Sequence, residues 1–219
     1  MNTRDLYEEL YQALDNLDEA RARALLAEGA DINAADEDGW PVLLTLADEG
    51  SDEAVFLCLK LGADPRCENE EGQSMVFFLL QNGRYELLLE CIDRGTIDVN
   101  EPNRHGTTPL MWCCCLTYSE ELTRALLARG ADVHREDKDG TTAFGYAIDE
   151  DICYSEHFPL LLAAGADINS RDEKGRTAVM VYAMGENESP EYISFFLEHG
   201  AGIKPSTTRD KHDLTVKLG

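Results

Sequence analysis

Six glycines recur along this chain of 219 residues at a nearly constant interval, each just after a segment with apolar helical spacing. They are Gly29, Gly62, Gly95, Gly130, Gly165 and Gly200, with spacings of 33, 33, 35, 35 and 35 residues. Five of them precede an Ala-Asp-Ile-Asn signature or a close variant, as at 30–33 and 166–169. A period in this range is typical of a solenoid of stacked helical units. Solenoids act through extended surfaces.

A second set of glycines lies ten or eleven residues after the first: Gly39, Gly72, Gly106, Gly140 and Gly175. The segment between the two sets is rich in Asp, Glu and Asn, which predicts a projecting turn. A short helical run follows, entered by Thr or Ser as at Ser74, Thr108 and Thr142, and these residue types can cap a helix. A second helix carries paired apolar residues such as Leu126 and Leu127. The glycine after it predicts a left-handed helix end.

This order of turn, helix and helix resembles the ankyrin repeat. The best match runs from Gly-Thr-Thr-Pro-Leu-Met at 106–111 to Leu-Leu-Ala-Arg-Gly-Ala-Asp-Val at 126–133. The resemblance covers about residues 17–203 and implies an all-α solenoid. One departure is that the family's usual histidine after Thr-Pro-Leu is absent, and Met111 and Gly145 stand at that position in two of the units.

Mapped onto the chain, the resemblance predicts six stacked helix-turn-helix units in one array over residues 1–203. The predicted boundaries are 1–38, 39–71, 72–105, 106–139, 140–174 and 175–203. Small insertions are expected in the C-terminal half, around 149–155 and 185–189. The polar tail 204–219 is expected to form a short cap or to be disordered. The first helix, near Arg4–Leu14, has a polar outer face that suits an N-terminal cap.

The net charge of −24, from 43 acidic and 19 basic side chains, argues against nucleic acid and anionic membrane as direct partners. It favours a basic protein partner, or simply high solubility. The charge is uneven, because residues 1–94 hold 22 acidic and 7 basic side chains. No apolar stretch is long enough to span a bilayer, and no secretory apolar segment opens the chain. Seven cysteines make an odd set without a disulfide pattern, so the expected location is cytoplasmic.

No pattern in the sequence predicts catalysis, a cofactor or a metal site. There is no glycine-rich phosphate loop, no zinc-protease histidine pair and no paired Cys-x-x-Cys motif. Cys113–Cys115 are consecutive, so their side chains point in different directions on a helix. Cys153 and His157 could share a helical face, but two ligands do not make a zinc site.

Asn33, Asn100 and Asn169 occupy equivalent positions near the start of the projecting turns. The resemblance implies that such asparagines can be hydroxylated in animal cells. The favoured alternative is that their side chains hydrogen-bond the turn backbone.

The resemblance also implies that a partner lies in a concave groove lined by the turn tips and the ends of the first helices. Residues predicted there, mapped from each turn glycine, are Glu37, Asp38, Trp40, Asp48, Glu49, Glu70, Glu71, Gln73, Arg104, His105, Asp139, Asp149 and Glu150. The first half of this groove is strongly acidic. Trp40 is its aromatic anchor, because aromatic residues are enriched among interface hot spots. The alternative is that the Trp40 ring packs on the neighbouring turn.

Together these features predict a non-catalytic protein-binding module that is a monomer when free and binds a basic protein surface. A more specific alternative is an inhibitor or immunity protein that neutralises a basic partner enzyme. A third is a structural scaffold or self-associating subunit. An enzyme or redox sensor using Cys113–Cys115 or Cys153 has the least support, because a reactive thiol needs an electropositive setting.

Overall fold

A computed structural model of the chain describes residues 3–117, 119–148, 157–172, 174–184 and 190–202. Asp149, Glu150 and Cys153, both predicted insertions and the 204–219 tail lie outside these ranges.

Within the described residues the chain forms twelve helices, arranged along the sequence as six consecutive pairs. They are α1 (Thr3–Asp15), α2 (Glu19–Ala27), α3 (Val42–Asp48), α4 (Asp52–Lys60), α5 (Met75–Gln81), α6 (Tyr85–Asp93), α7 (Pro109–Leu116), α8 (Glu120–Ala128), α9 (Ala143–Tyr146), α10 (His157–Ala163), α11 (Ala178–Met184) and α12 (Pro190–Glu198). The all-helical repeat architecture predicted from the glycine period is therefore confirmed.

The contacts divide the chain into two compact units, residues 1–98 and 99–219. In unit 1, α1 packs on α2, α3 and α4, while α3 also packs on α4 and α5, and α5 packs on α6. The side chains that are almost fully buried here are mainly leucines: Leu10, Leu14, Leu25, Leu43, Leu44, Leu46, Leu79 and Leu80. Each helix pair thus buries its apolar face against its neighbour in the same unit.

In unit 2, α7 packs on α8 and α9, α10 packs on α8 and α9, and α11 packs on α12. Its core contains an aromatic cluster. The ring centroid of Phe158 lies 5.3 Å from that of Phe144 and 5.0 Å from that of Phe196. All three rings are fully buried, so they tie α9, α10 and α12 together.

The helix ends follow the sequence prediction in most places. All six glycines of the first set have positive φ, between 72° and 105°, as a left-handed helix end requires. Thr108 and Thr142 cap α7 and α9 by accepting hydrogen bonds from the amides of Met111 and Gly145. The predicted cap at Ser74 is wrong, because its side chain makes no capping hydrogen bond to α5.

Candidate protein-binding surface

Each projecting turn is organised by one Asp or Asn placed three residues before the turn glycine. Its Oδ1 accepts hydrogen bonds from the backbone amides two and four residues later, as Asp36 does from Asp38 and Trp40 at 3.0 and 2.8 Å. The same arrangement recurs at Asn69, Asn103, Asp137 and Asp172. These residues are not among those predicted from the sequence. Their signal is the recurring Asp or Asn at a fixed distance from each glycine.

This arrangement pushes the two residues before each turn glycine outward. In unit 1 the predicted residues Glu37, Asp38, Glu70 and Glu71 are all exposed at two successive turn tips. In unit 2 the predicted residues Arg104, His105 and Asp139 are likewise exposed at their turn tips. We call the surface formed in each unit by the turns and the adjoining first helices its turn-side surface. It is acidic in unit 1 and of mixed charge in unit 2.

Trp40 lies directly after the first turn tip and is half-buried. Its ring centroid is 4.9 Å from that of Phe78 on α5. The ring therefore packs on a helix of the next pair, and part of its surface remains exposed. Contact of the Trp40 ring with a partner stays a prediction.

Other predicted residues serve the fold as well as the surface. Asp48, at the end of α3, accepts a 2.8 Å hydrogen bond on Oδ1 from Nδ2 of Asn82. Gln73 accepts a 2.7 Å hydrogen bond on Oε1 from Asn69. Glu49 is exposed at the end of α3. Among these three, Glu49 is the better candidate for partner contact, because the side-chain oxygens of Asp48 and Gln73 are used inside unit 1.

The first helix contributes to this surface, which sequence mapping from the turn glycines could not reveal because no turn glycine precedes α1. The Tyr7 hydroxyl donates a 3.1 Å hydrogen bond to the Trp40 carbonyl and lies 3.3 Å from Thr45 Oγ1. Burial raises the pKa of Tyr7. A cavity of about 460 Å³ lies between α1 and the turn, lined by Tyr7, Glu8 and residues 34–38. The N-terminal helix thus forms one wall of the acidic surface.

The basic side chains of unit 1 are largely engaged with carboxylates on its helices. Arg23 pairs with Glu19 at 2.7 Å, and Lys60 pairs with the same carboxylate at 2.8 Å. Arg21 pairs with Glu9, and Arg94 pairs with Glu90. Arg84 pairs with Asp52. These ion pairs place most of the positive charge of unit 1 on its helices. The turn tips remain rich in carboxylates, so the turn-side surface of unit 1 has a negative potential.

The turn-side surface of unit 2 contains a smaller cavity of about 200 Å³ between the Gly140 and Gly175 turns. Tyr146 donates a 2.7 Å hydrogen bond to Asp137 at its wall, and burial raises the pKa of Tyr146 strongly. Arg176 pairs with Asp172 at 2.7 Å, and Lys174 also lines the cavity. Positive and negative groups are therefore mixed here, in contrast to unit 1.

The three equivalent asparagines join successive turns through the backbone. Oδ1 of Asn33 accepts a 2.8 Å hydrogen bond from the Asp64 amide, and Asn100 does the same from Asp132. Asn169 accepts a 2.7 Å hydrogen bond from the Gly202 amide. The favoured interpretation, a bond to turn backbone, is therefore confirmed, and the turn is that of the next repeat. Hydroxylation of these asparagines stays a prediction.

The cysteines and His157 have structural surroundings. Among the described cysteines, Cys58, Cys91, Cys113 and Cys114 are buried and none is in a disulfide. Burial raises the pKa of Cys58 to about 12 and that of Cys91 to about 11, which disfavours the reactive thiolate. His157 is fully buried, with Nδ1 2.8 Å from Thr123 Oγ1 and Nε2 2.9 Å from the Thr117 carbonyl oxygen.

The described ranges also bear on metal binding and on membrane crossing. No group of three or more His, Cys, Asp or Glu side chains there is arranged to hold a metal ion. No helix in that part of the chain is both long and apolar enough to cross a bilayer.

This architecture is similar to that of known repeat proteins. A profile of three ankyrin repeats matches residues 43–137 and 81–172, which together make up more than half of the chain. Mouse Rabankyrin-5 is 26% identical over 133 residues, which is 55% of this chain and 11% of that protein. The ankyrin repeat, SAM and basic leucine zipper domain-containing protein 1 of Callithrix jacchus is 31% identical over 111 residues, which is 51% of this chain and 21% of that protein.

Human ankyrin repeat domain-containing protein 13B is 33% identical over 78 residues, which is 36% of this chain and 12% of that protein. The chain thus matches only about a tenth to a fifth of the length of these relatives. What the relatives share with it is the repeat itself, which generally serves as a protein–protein interaction module. The chain belongs to the ankyrin repeat family.

Proposed function

We propose that this protein is a non-catalytic interaction module that binds a basic protein surface through the turn-side surface of unit 1. The observation that carries the proposal is the run of exposed carboxylates at two successive turn tips, Glu37, Asp38, Glu70 and Glu71, together with Glu49 at the end of α3. Electrostatic complementarity of this kind speeds association and makes it sensitive to salt. The half-buried Trp40 ring beside them offers an apolar contact.

The turn-side surface of unit 2 is less suited to bind a basic protein. Its mixture of Arg104, Lys138, Asp139 and Lys174 gives no single sign of charge. A basic partner would gain little attraction there, so the main contact is assigned to unit 1.

Affinity capture with the full chain tests this function. The chain is immobilised and exposed to native lysate at low and at moderate salt, and retained proteins are identified by mass spectrometry. We expect a basic protein retained in stoichiometric amount, with retention falling as salt rises. Retention of acidic or neutral proteins alone, unaffected by salt, would contradict the proposal.

A matched pair of variants locates the surface. Asp38→Lys with Glu49→Lys should weaken binding of the captured partner by about tenfold or more, since close charge pairs across interfaces contribute about 1.5 kcal/mol or more each. Glu53→Lys with Glu86→Lys makes the same change in net charge on the second helices α4 and α6 and should have a much smaller effect. If both pairs of substitutions weakened binding equally, only net charge would matter, and the assignment of the binding site to the turn-side surface of unit 1 would be wrong.

We further propose that the free protein is a cytoplasmic monomer. Support for the location comes from its described cysteines, none of which is in a disulfide, as in a reducing compartment. Light scattering of the free chain over a wide concentration range should give one constant molecular mass. A mass that rises with concentration would favour the self-associating scaffold instead.

A further inference from the structure

One side of α12 lacks the cover that the second helices of the earlier repeats have. The residue seven positions before the helix-end glycine is at most 1% exposed in the first five repeats: Ala22, Val55, Leu88, Thr123 and Phe158. In the sixth repeat this residue is Ile193, which packs against Met180 and Ala183 yet remains only half-buried. The residue three positions before the glycine is half-buried in the first five repeats. In the sixth it is Leu197, and 40% of it is exposed.

The contacts of Phe158 show where such cover comes from. Phe158 occupies on α10 the position that Ile193 occupies on α12. Its ring centroid lies 6.2 Å from that of Tyr182 on α11 and 5.0 Å from that of Phe196 on α12. Both α11 and α12 belong to the repeat that follows. A following repeat therefore buries this position with apolar side chains, so an apolar segment in the same place would cover the open side of α12.

The backbone after α12 continues as it does between earlier repeats. Gly200 ends the helix with φ of 89°. The amide of Gly202 donates a 2.7 Å hydrogen bond to Oδ1 of Asn169, just as the amide of Asp64 donates to Oδ1 of Asn33 at 2.8 Å. In each case the donor lies two residues after the helix-end glycine. Residues 200–202 thus begin another turn in the register of the repeat.

Counting along the sequence places two leucines of the tail at positions that are buried in the earlier repeats. The first helix of the next repeat begins 13 or 14 residues after each helix-end glycine, at Val42, Met75, Pro109, Ala143 and Ala178. The second residue counted from each of these starts is at most 6% exposed, and the sixth is at most 2% exposed. The same count of 13 from Gly200 reaches Asp213, so these two positions fall on Leu214 and Leu218.

The segment 213–218 has the composition of a cover at the end of an array. Apolar and polar residues alternate in it, as Asp-Leu-Thr-Val-Lys-Leu. Asp213 and Lys217 stand where the earlier first helices bury their first and fifth positions, which is a departure from the repeat. A segment that closes an array needs an apolar inner side and a polar outer side, and this alternation supplies both.

The charge of the tail complements that of the array. Residues 204–219 hold four basic and two acidic side chains, whereas the rest of the chain holds 15 basic and 41 acidic ones. On α12 itself, Glu191 and Glu198 are exposed. Opposite charge favours contact between the tail and α12, whereas a second copy of the same acidic face would meet like charge there.

We propose that the segment 213–218 covers the open side of α12 and shields Ile193 and Leu197 from water, with Leu214 and Leu218 facing the last helix pair. The segment takes the place of the first helix of a further repeat. This contact lies within unit 2 and does not depend on the proposed binding surface of unit 1.

Hydrogen–deuterium exchange of the full chain, followed by mass spectrometry, tests the contact from the side of the tail. We expect the backbone amides of 213–218 to be protected relative to a free peptide of that sequence. Leu214→Ser with Leu218→Ser should speed exchange in α12 by about tenfold or more, because the burial of two leucines opposes local opening. Thr207→Ser with Thr208→Ser also makes two substitutions in the tail and should leave exchange in α12 unchanged.

A substitution on α12 makes the reciprocal test. Leu197 is exposed to 40%, so Leu197→Ser removes apolar surface without opening the core of unit 2. It should speed exchange in 213–218 by about threefold or more. Ser194→Ala, at another exposed position of α12, should leave exchange in 213–218 unchanged.

Three results would overturn the proposal. The first is exchange in 213–218 that is as fast as in the free peptide. The second is protection of 213–218 that Leu197→Ser does not change, with exchange in α12 unaffected by the two leucine substitutions, because the tail would then contact another surface. The third is exchange in α12 that slows as protein concentration rises, together with a rising mass in light scattering, which would assign the open side of α12 to a second copy.

Discussion

At the scale of single residues, Arg84 joins two helix pairs of unit 1 through one side chain. Its Nη1 donates to the carbonyl oxygens of Leu46 and Ala47 at the end of α3, at 3.0 and 2.8 Å. Its Nε and Nη2 donate to Oδ1 of Asp52 at 2.9 and 2.6 Å. Only 15% of the side chain is exposed. The last carbonyls of a helix have no partner within it, so Arg84 supplies donors that α3 lacks.

We predict that Arg84→Ala lowers the free energy of unfolding by roughly 2–3 kcal/mol, because it removes several charge-assisted hydrogen bonds, including those to the carbonyls of Leu46 and Ala47. Arg84→Lys should recover less than half of the loss, since an ammonium cannot reproduce the planar fork. Urea denaturation measures both. The control is Arg124→Ala, which breaks an exposed pair with Glu120 and should cost less than about 0.5 kcal/mol. Similar losses at the two sites would contradict this role.

The buried thiols predict a loss of stability at alkaline pH. The folded pKa of Cys58 is about 12 and that of Cys91 about 11, against an ordinary value of 9.0. A raised folded pKa means that the folded state holds the proton more tightly, so this contribution is complete below pH 9 and is lost as pH rises toward 11–12. The free energy of unfolding should therefore fall by about 1 kcal/mol less between pH 9 and 10 in the Cys58→Ala variant than in the unaltered protein.

Chemical denaturation at several pH values measures this slope. The exposed substitution Ser194→Ala serves as a control and should leave the slope unchanged. A decline equally steep with and without Cys58 would contradict the assignment.

At the scale of elements, α9 shows how a neighbouring turn can override local propensity. Gly145 lies inside this helix of only four residues, at a position where Leu44, Phe77 and Met111 stand in other repeats. A Cβ atom added to Gly145 would lie 2.4 Å from the Arg171 carbonyl oxygen and 2.8 Å from Thr141 Cγ2. The Gly175 turn therefore approaches α9 more closely than any larger residue at position 145 would permit.

We predict that Gly145→Ala destabilises the protein by roughly 1–3 kcal/mol, as overpacking does. Helix propensity alone would predict the opposite, a gain of about 0.5–1 kcal/mol. Thermal or urea unfolding decides the sign. Ser194→Ala, on the exposed face of α12, should change stability by less than about 0.5 kcal/mol. A stabilised Gly145→Ala variant would show that the turn can move away at little cost.

At the scale of the whole molecule, the dominant property is the net charge of −24. Mutual repulsion among so many carboxylates opposes compaction, and dissolved salt screens it over about 10 Å at 0.1 M. The exposed ion pairs, such as Arg23 with Glu19, contribute little and cannot reverse this effect.

We predict that the thermal midpoint rises by several degrees between about 20 and 200 mM sodium chloride, because screening at these concentrations weakens the repulsion. Differential scanning calorimetry measures the midpoint. Potassium chloride should give the same rise, since screening depends on ionic strength and not on the ion. A midpoint that falls with salt would show that ion pairs outweigh repulsion.

Most of the repeat architecture follows from the sequence because glycine positions report backbone geometry directly. Gly29 and Gly62 end their helices with φ of 103° and 105°, a conformation that favours glycine. The surface could be predicted only in part. Glu37 and Asp38 could be predicted because they lie at a fixed distance from Gly39. Tyr7 lines the same cavity as these two residues through the packing of α1, which no turn glycine marks.

By itself, therefore, the sequence determined the period, the helix pairs, the turn tips and the excess of negative charge, all of which depend on local backbone preference or on composition. Tertiary structure alone decided which carboxylates serve the fold and which stay exposed. Asp48 is held by Asn82, 34 residues away, while Glu49 beside it is exposed at the end of α3. Tertiary structure also placed the Trp40 ring against Phe78, because contacts between distant residues depend on how helices pack and not on their spacing along the chain.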